Sequence, residues 1–140
     1  LMNRAVFDTN VLVAGFLSPA GPPGRIVEWL RAGSVVAVLD DRIFAEYAEV
    51  LVRPAFCLPA GEVNIVLDAI RARATWAEVG VGQSVSLPDP DDVPFAECAH
   101  AAEVPLVTGN LRHYPKAACR GVRVVAPTQF GASAGIGTTP

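Results

Sequence analysis

Val6-Phe7-Asp8-Thr9-Asn10-Val11-Leu12 is the segment of this 140-residue chain that says most about its architecture. A short apolar run leads to an acid, and Asp8 stands where the strand formed by that run is predicted to end. In parallel α/β sheets, ligands bind beyond the carboxyl ends of the strands. The segment therefore predicts a carboxylate placed for chemistry at one edge of such a sheet.

Strand and helix patterns alternate through the rest of the chain. A helix capped by Thr9 or Asn10 is predicted to run through Leu17, and Gly33 ends a second helix. The other predicted elements are a helix capped by Asp40 or Asp41 and ended by Arg53-Pro54, helices over 61–73 and 89–102, and strands over 35–39, 76–79, 105–107 and 122–125. This alternation predicts an α/β fold, a three-layer α/β/α sandwich with a central, mainly parallel sheet.

One domain is predicted over residues 1–130, because 51% of the chain is hydrophobic and the mean hydropathy is +0.37. Residues 131–140 are small or polar and lack periodicity, so we expect a flexible C-terminal tail. The three cysteines have neither metal-site nor disulfide spacing and are expected to be reduced core residues. No segment approaches the apolar length of a membrane span, and we predict a cytoplasmic protein without membrane contact.

Charge limits how this protein would contact nucleic acid. The formal net charge is -3, so the chain has no overall basic field and any RNA contact must be local. Ten of the eleven basic residues are Arg, whose planar fork donates two hydrogen bonds to a phosphate.

Further acids occur at points expected to converge with Asp8. Glu46 borders the apolar stripe of the predicted third helix, where an unpartnered buried carboxylate is costly. Asp89, Asp91 and Asp92 open another helix, and one N-cap explains only one of them. If Asp8, Glu46 and Asp92 converge, their repulsion raises their pKa values or demands a cation, and oxygen ligands favour Mg²⁺ or Mn²⁺ over Zn²⁺.

Each of these residues also has a plain structural explanation. Asp8 alone is compatible with a turn or a helix cap, and the acids at 89–92 with amide and dipole interactions at a helix start. The stem of Glu46 can pack while its carboxylate stays in water. His100 and His113 lack catalytic or metal spacing, and we expect a helix-surface and a loop histidine.

Four ordered segments resemble the PIN-domain ribonucleases, specifically the branch of toxins from type II toxin-antitoxin pairs. The resemblance covers residues 4–130 and rests on Val6–Val13, Glu46–Leu51 followed by Arg53-Pro54, Asp89–Asp92 leading into Phe95, and Leu106–Asn110. It implies a metal-dependent endoribonuclease that hydrolyses RNA phosphodiester bonds. It also implies a cognate antitoxin as partner and a homodimer.

The same resemblance implies the site residues. Asp8, Glu46, Asp92 and Asn110 form the catalytic set, of which the first three hold Mg²⁺ or Mn²⁺. In the family the fourth position is an acid, whereas Asn110 brings no charge. The implied supporting residues are Thr9, Asn10, Asp91 and Thr108, and the implied RNA contacts are Arg112 and Arg25.

Two other functions compete with this one. The charge missing at Asn110 favours a catalytically weak PIN domain that binds RNA or a partner without cutting. Phosphatases of the haloacid dehalogenase type also place an Asp at the end of their first strand. Their chemistry needs a second Asp two residues later, where Asn10 stands.

Overall fold

The computed structural model describes residues 3–133, in which five strands form one wholly parallel sheet. The strands are β1 (Asn3–Phe7), β2 (Val35–Leu39), β3 (Thr75–Trp76), β4 (Leu106–Val107) and β5 (Val124–Val125). Every residue of β2 is buried, as are the last three of β1. Burial on both faces is why these strands are continuous apolar runs instead of alternating patterns.

Helices flank this sheet. The described residues form α1 (Thr9–Leu17), α2 (Pro22–Ala32), α3 (Asp41–Val50), α4 (Ala60–Arg73), α5 (Val93–Ala102) and α6 (Pro127–Ser133). α2 packs against α1, α4 and α6, while α5 packs against β1 and β2. The predicted three-layer α/β/α fold with a central parallel sheet is confirmed.

The strand order places a crevice next to β1. The order is β3-β2-β1-β4-β5, so the chain moves outward from β1 to β3 and then returns to the other side of β1. Such a switch point opens a crevice at the carboxyl edge, where open α/β sheets bind their ligands. Asp8 follows β1 and Thr108 follows β4, so both residues lie at this switch point.

Several element boundaries differ from the predictions. β3 is Thr75–Trp76 instead of 76–79, because these two residues pair with β2 and the contact ends with the hydrogen bond from the Ala77 amide to the Leu39 carbonyl. α5 begins at Val93, since Pro90–Asp92 forms a separate 3-10 turn. The N-cap of α1 is Asp8, and neither Thr9 nor Asn10 takes that position.

The helix α6 was not predicted from the sequence. Its residue Phe130 is buried and meets the ring of Phe7 edge-on, with centroids 5.5 Å apart. Tertiary packing therefore accounts for a helix that local propensity does not indicate. Residues 131–133 of the predicted tail complete this helix, and 134–140 lie outside the described residues, so the flexible tail remains a prediction.

The cysteines do not all lie in the core. Cys98 and Cys119 are buried, but Cys57 is exposed in the loop after a 3-10 turn, which corrects the expectation for that residue. Among residues 3–133, no helix combines the length and the hydrophobicity needed to cross a membrane.

Tyr47 joins α3 to the end of β1. Its side chain is fully buried, and its hydroxyl donates a hydrogen bond to the carbonyl oxygen of Phe7. Phe7 directly precedes Asp8, and Tyr47 directly follows Glu46. This bond therefore fixes the backbone positions of the two acids relative to each other.

We expect Tyr47→Phe to lower the free energy of unfolding by about 1–2 kcal/mol, because the buried carbonyl of Phe7 loses its side-chain donor. Urea unfolding measures this change. Thr75→Val is the matched control, since among residues 3–133 the Thr75 hydroxyl has no hydrogen-bond partner, and we expect a change within about 0.5 kcal/mol. Equal unfolding midpoints for Tyr47→Phe and the wild type would contradict this role.

Candidate active site

Asp8 occupies the N-cap position of α1 without capping the helix. Its side chain forms no capping hydrogen bond of good geometry, although the Asn10 amide is near enough to lower the pKa of the carboxyl. Instead, Oδ2 accepts hydrogen bonds from the hydroxyls of Tyr114, at 2.9 Å, and Thr108, at 3.0 Å. Burial raises the pKa of the Asp8 carboxyl above its ordinary value, although both hydroxyls oppose that effect. Capping therefore does not explain this acid.

Glu46 approaches the same region from α3. It is half-buried, whereas Glu49 on the same helix is exposed and pairs with Arg53 at 2.7 Å. The Thr9 hydroxyl donates a hydrogen bond to Glu46 Oε2. Burial is the main cause that raises the pKa of Glu46, the Thr9 hydroxyl opposes it, and the charge of Asp8 adds to it.

Asp92 is the third carboxylate, buried at the start of α5. Of the three neighbouring acids, Asp89 is the cap, because its Oδ1 accepts the amide of Asp91 at 2.9 Å. Oδ2 of Asp92 is buried and accepts no hydrogen bond within residues 3–133, although His113 Nδ1 lies 3.1 Å away. Burial, followed by the charge of Asp8, raises the pKa of Asp92 to about 6.

One cavity of about 450 Å³ brings the three carboxylates together. Asp8, Glu46 and Asp92 line it from β1, α3 and the start of α5, as the sequence-based hypothesis of convergence requires. The cavity is also lined by Thr9, Asn10, His113 and an apolar wall of Val13, Ala14, Leu17, Val50 and Phe56. An acidic centre therefore opens onto an apolar surface.

Hydrogen bonds fix the turn after β4 against α1. Asn10 Oδ1 accepts the amide of Gly109 at 3.0 Å, and the Thr108 hydroxyl accepts the amide of Asn110 at 3.1 Å. The Asn110 side chain does not line the cavity, and Asp91 is exposed outside it. Of these predicted site residues, Asn10 and Thr108 thus support the site, while Asn110 contributes a backbone contact.

The two arginines predicted to contact RNA lie apart from each other. Arg112 is exposed in the turn Leu111–His113, which also carries the cavity residue His113. Arg25 is exposed on α2 and lines a different cavity with Trp29 and Pro127. Neither arginine lines the acidic cavity.

Sequence reasoning missed three residues that shape this site. His113 was expected to be a loop histidine, and Tyr114 and Tyr47 were not considered as site residues. His113 and Tyr114 closely follow the turn Thr108-Gly109-Asn110, and this proximity was the available signal. A short loop that folds back after β4 brings both side chains to the carboxylates.

The donors suit a divalent cation by their chemistry. Residues 3–133 contain no group of three or more His, Cys, Asp or Glu side chains already arranged to hold a metal ion. However, three carboxylates line one cavity, the charge of Asp8 raises the pKa values of Glu46 and Asp92, and Asp92 Oδ2 is buried without a hydrogen bond within residues 3–133. Carboxylate oxygens are the ligands that Mg²⁺ and Mn²⁺ prefer, so Asp8, Glu46 and Asp92 fit such an ion.

Fold and site together define an α/β protein with an acidic centre at its topological switch point. Residues 4–112 match the PIN domain family, and the chain belongs to that family. It is also similar to Uncharacterized protein MJ1680 of Methanocaldococcus jannaschii, with 23% identity over 110 residues, or 76% of this chain and 70% of that protein. PIN domains are in general nucleases that bind RNA and typically use divalent metals.

Without metal, we expect the pH dependence of stability to contain a contribution from Asp92. Its folded-state pKa is raised from 3.8 to about 6, so the folded protein holds a proton that the unfolded chain has released. That contribution is present below about pH 4 and is lost as the pH rises through about 6. As the pH rises from about 4 to about 6, the free energy of unfolding of Asp92→Asn should therefore fall less than that of the wild type.

Thermal unfolding in EDTA at several pH values from about 4 to about 6 measures this difference. Asp68→Asn, which removes an exposed acid of α4 outside the cavity, is the control for the loss of one charge. The prediction is wrong if Asp92→Asn and the wild type have the same pH dependence.

Proposed function

We propose that this PIN-domain protein is a metal-dependent endoribonuclease that hydrolyses RNA phosphodiester bonds with Mg²⁺ or Mn²⁺. The observation that carries the proposal is the presence of Asp8, Glu46 and Asp92 in one cavity at the switch point of the sheet. Neither Asp8 nor Asp92 caps its helix. Buried carboxylates cost stability unless partners or a cation compensate their charge, and Asp92 Oδ2 forms no hydrogen bond within residues 3–133, so the arrangement favours a cation.

Asp8, Glu46 and Asp92 would hold the cation. A bound divalent ion supplies charge stabilisation at the phosphoryl oxygens and lowers the pKa of an attacking water. The hydroxyls of Thr108 and Tyr114 both donate to Oδ2 of Asp8, and neither donates to Oδ1.

Two further residues would act beside these ligands. The Thr9 hydroxyl orients Glu46 by its hydrogen bond to Oε2. His113 lines the cavity, and its ring N–H would donate to a phosphate oxygen of the substrate.

We further propose that the protein is the toxin of a toxin-antitoxin pair, acts in the cytoplasm and forms a homodimer. The ordered sequence segments support the toxin assignment. Partner contact is supported by exposed apolar side chains, with Leu17 55% and Val52 62% exposed. The apolar wall of the cavity contains Leu17, so an antitoxin bound there would also cover the acidic centre.

Cleavage of a labelled structured RNA tests the nuclease. We expect cutting by the wild type with Mn²⁺, and none with EDTA. Asp8→Asn and Glu46→Gln should reduce the rate by more than the roughly 10–100-fold that loss of a supporting partner causes. Glu49→Gln, a matched change on the exposed side of α3, should cut like the wild type. Unchanged cleavage by Asp8→Asn would refute this active site.

A second candidate function is RNA or partner binding without cleavage. It is favoured by Asn110, which lacks charge and whose side chain does not line the cavity. If the wild type binds several RNAs but cuts none of them, this function replaces the nuclease. Cleavage gained on Asn110→Asp would then show that the missing acid is the cause.

Metal binding is tested separately from activity. Mn²⁺ should raise the melting temperature of the wild type in proportion to the logarithm of its concentration, with about 2.7 kcal/mol gained at about 100 times the Kd. Asp92→Asn should lose most of this gain, because it removes a proposed ligand. Glu49→Gln should keep it. Equal Mn²⁺ stabilisation of all three proteins would contradict a cation at this cavity.

A further inference from the structure

Charges are divided unevenly along this chain. All 14 acids and seven of the eleven basic residues lie in 1–103, which gives a formal net charge of −7, whereas 104–140 has four basic residues and no acid. These four residues are Arg112, Lys116, Arg120 and Arg123. A polyanion is therefore attracted to one short segment of an otherwise acidic protein.

That segment connects β4 with β5. Since the two strands are parallel, the connection runs from the carboxyl edge of the sheet, after Val107, to the amino edge, before Val124. It does so without an α-helix, through the 3-10 turns Leu111–His113 and Lys116–Ala118. We name residues 108–123 the basic crossover.

The basic side chains of this crossover are available to a ligand. All four are exposed, and none forms an ion pair with an acid of residues 3–133. Arg120 donates to the backbone carbonyls of Gly82 and Ser84, which anchors the crossover to a neighbouring loop. By contrast, several arginines elsewhere pair with acids, namely Arg31, Arg42 and Arg53.

The two ends of the basic crossover meet two different cavities. At the carboxyl edge, His113 lines the acidic cavity beside Asp92. At the amino edge, Arg120 and Arg123 line a second cavity of about 580 Å³, whose one acid is Glu103. The crossover thus connects the candidate cleavage site with a basic cavity at the opposite edge of the sheet.

We propose that the basic crossover binds RNA phosphates outside the cleavage site, and that the substrate is an RNA long enough to reach from the acidic cavity to the cavity of Arg120 and Arg123. The proposal rests on the proposed nuclease function. Lys and Arg contacts to phosphates position an RNA without reading its sequence. The crossover therefore sets the length and orientation of the substrate, and bases near the carboxylates set any sequence preference.

Affinity for a labelled structured RNA of about 70 nucleotides, measured by fluorescence anisotropy in EDTA, tests this without any need for catalysis. Lys116→Gln with Arg123→Gln should weaken RNA binding about tenfold. It should also reduce the slope of the logarithm of the binding constant against the logarithm of the salt concentration by about two, because two phosphate contacts are removed. Arg31→Gln with Arg53→Gln removes the same charge from α2 and α3 and should change neither quantity. Glu103→Gln should tighten binding, since it removes the acid of the second cavity.

Substrate length provides the second readout. We call Lys116→Gln with Arg123→Gln the crossover variant. With Mn²⁺, its kcat/KM should fall on the long RNA and equal the wild-type value on an oligonucleotide of about six nucleotides. The inference is overturned if the Lys116→Gln, Arg123→Gln variant binds RNA as tightly as the wild type or as the Arg31→Gln, Arg53→Gln control. It is also overturned if this variant loses the same factor in kcat/KM on the long and the short RNA.

Failure of this inference is distinguishable from failure of the nuclease proposal. Binding that depends on the crossover, with no cleavage of any RNA, supports the inference and refutes the nuclease. Metal-dependent cleavage, together with RNA binding that the substitutions at Lys116 and Arg123 leave unchanged, supports the nuclease and refutes the inference.

Discussion

A buried carboxylate at the end of the central strand is the constraint on which this molecule depends. Asp8 is only 5% exposed, and a charge removed from water must find donors within the protein. Both hydroxyls that serve it, those of Thr108 and Tyr114, come from the chain after β4. The hydroxyl of Tyr47 fixes α3 to the residue just before it. The contacts that place the acid therefore also join separate parts of the fold.

The remaining acids of the site are supported less completely. Glu46 accepts one hydrogen bond, from the Thr9 hydroxyl, while Oδ2 of Asp92 is buried and accepts none within residues 3–133. Burial and the charge of Asp8 raise the pKa values of both Glu46 and Asp92, which is a cost to folding that a closed network of partners would avoid. Proteins retain such unfavourable arrangements where function requires them. An attached cation would remove much of this repulsion, and a phosphate could then approach a centre that otherwise repels it.

Much of this arrangement follows from the sequence, for a geometric reason. Apolar runs identified the principal strands, and parallel topology places every strand's carboxyl end at one edge, so Asp8 and the acids near other elements could be expected to meet. Contacts made through loops were beyond that reasoning. Tyr114 reaches Asp8 across 106 positions through 3-10 turns that have no periodicity. The helix α6 likewise depends on Phe130 meeting Phe7, which no local pattern encodes.

The wide spacing of the site residues has a consequence for the protein during its own synthesis. A nascent chain that has left the ribosome only as far as Asp92 already carries all three carboxylates, but it has neither β4 nor the hydroxyls of Thr108 and Tyr114. Parallel strands that are far apart in the sequence pair slowly, because the entropy of closing the long loop between them is lost before their contacts form. The acidic centre therefore acquires the hydroxyls that hold Asp8 only after Tyr114 has left the ribosome, and a shorter nascent chain carries the three carboxylates without that support.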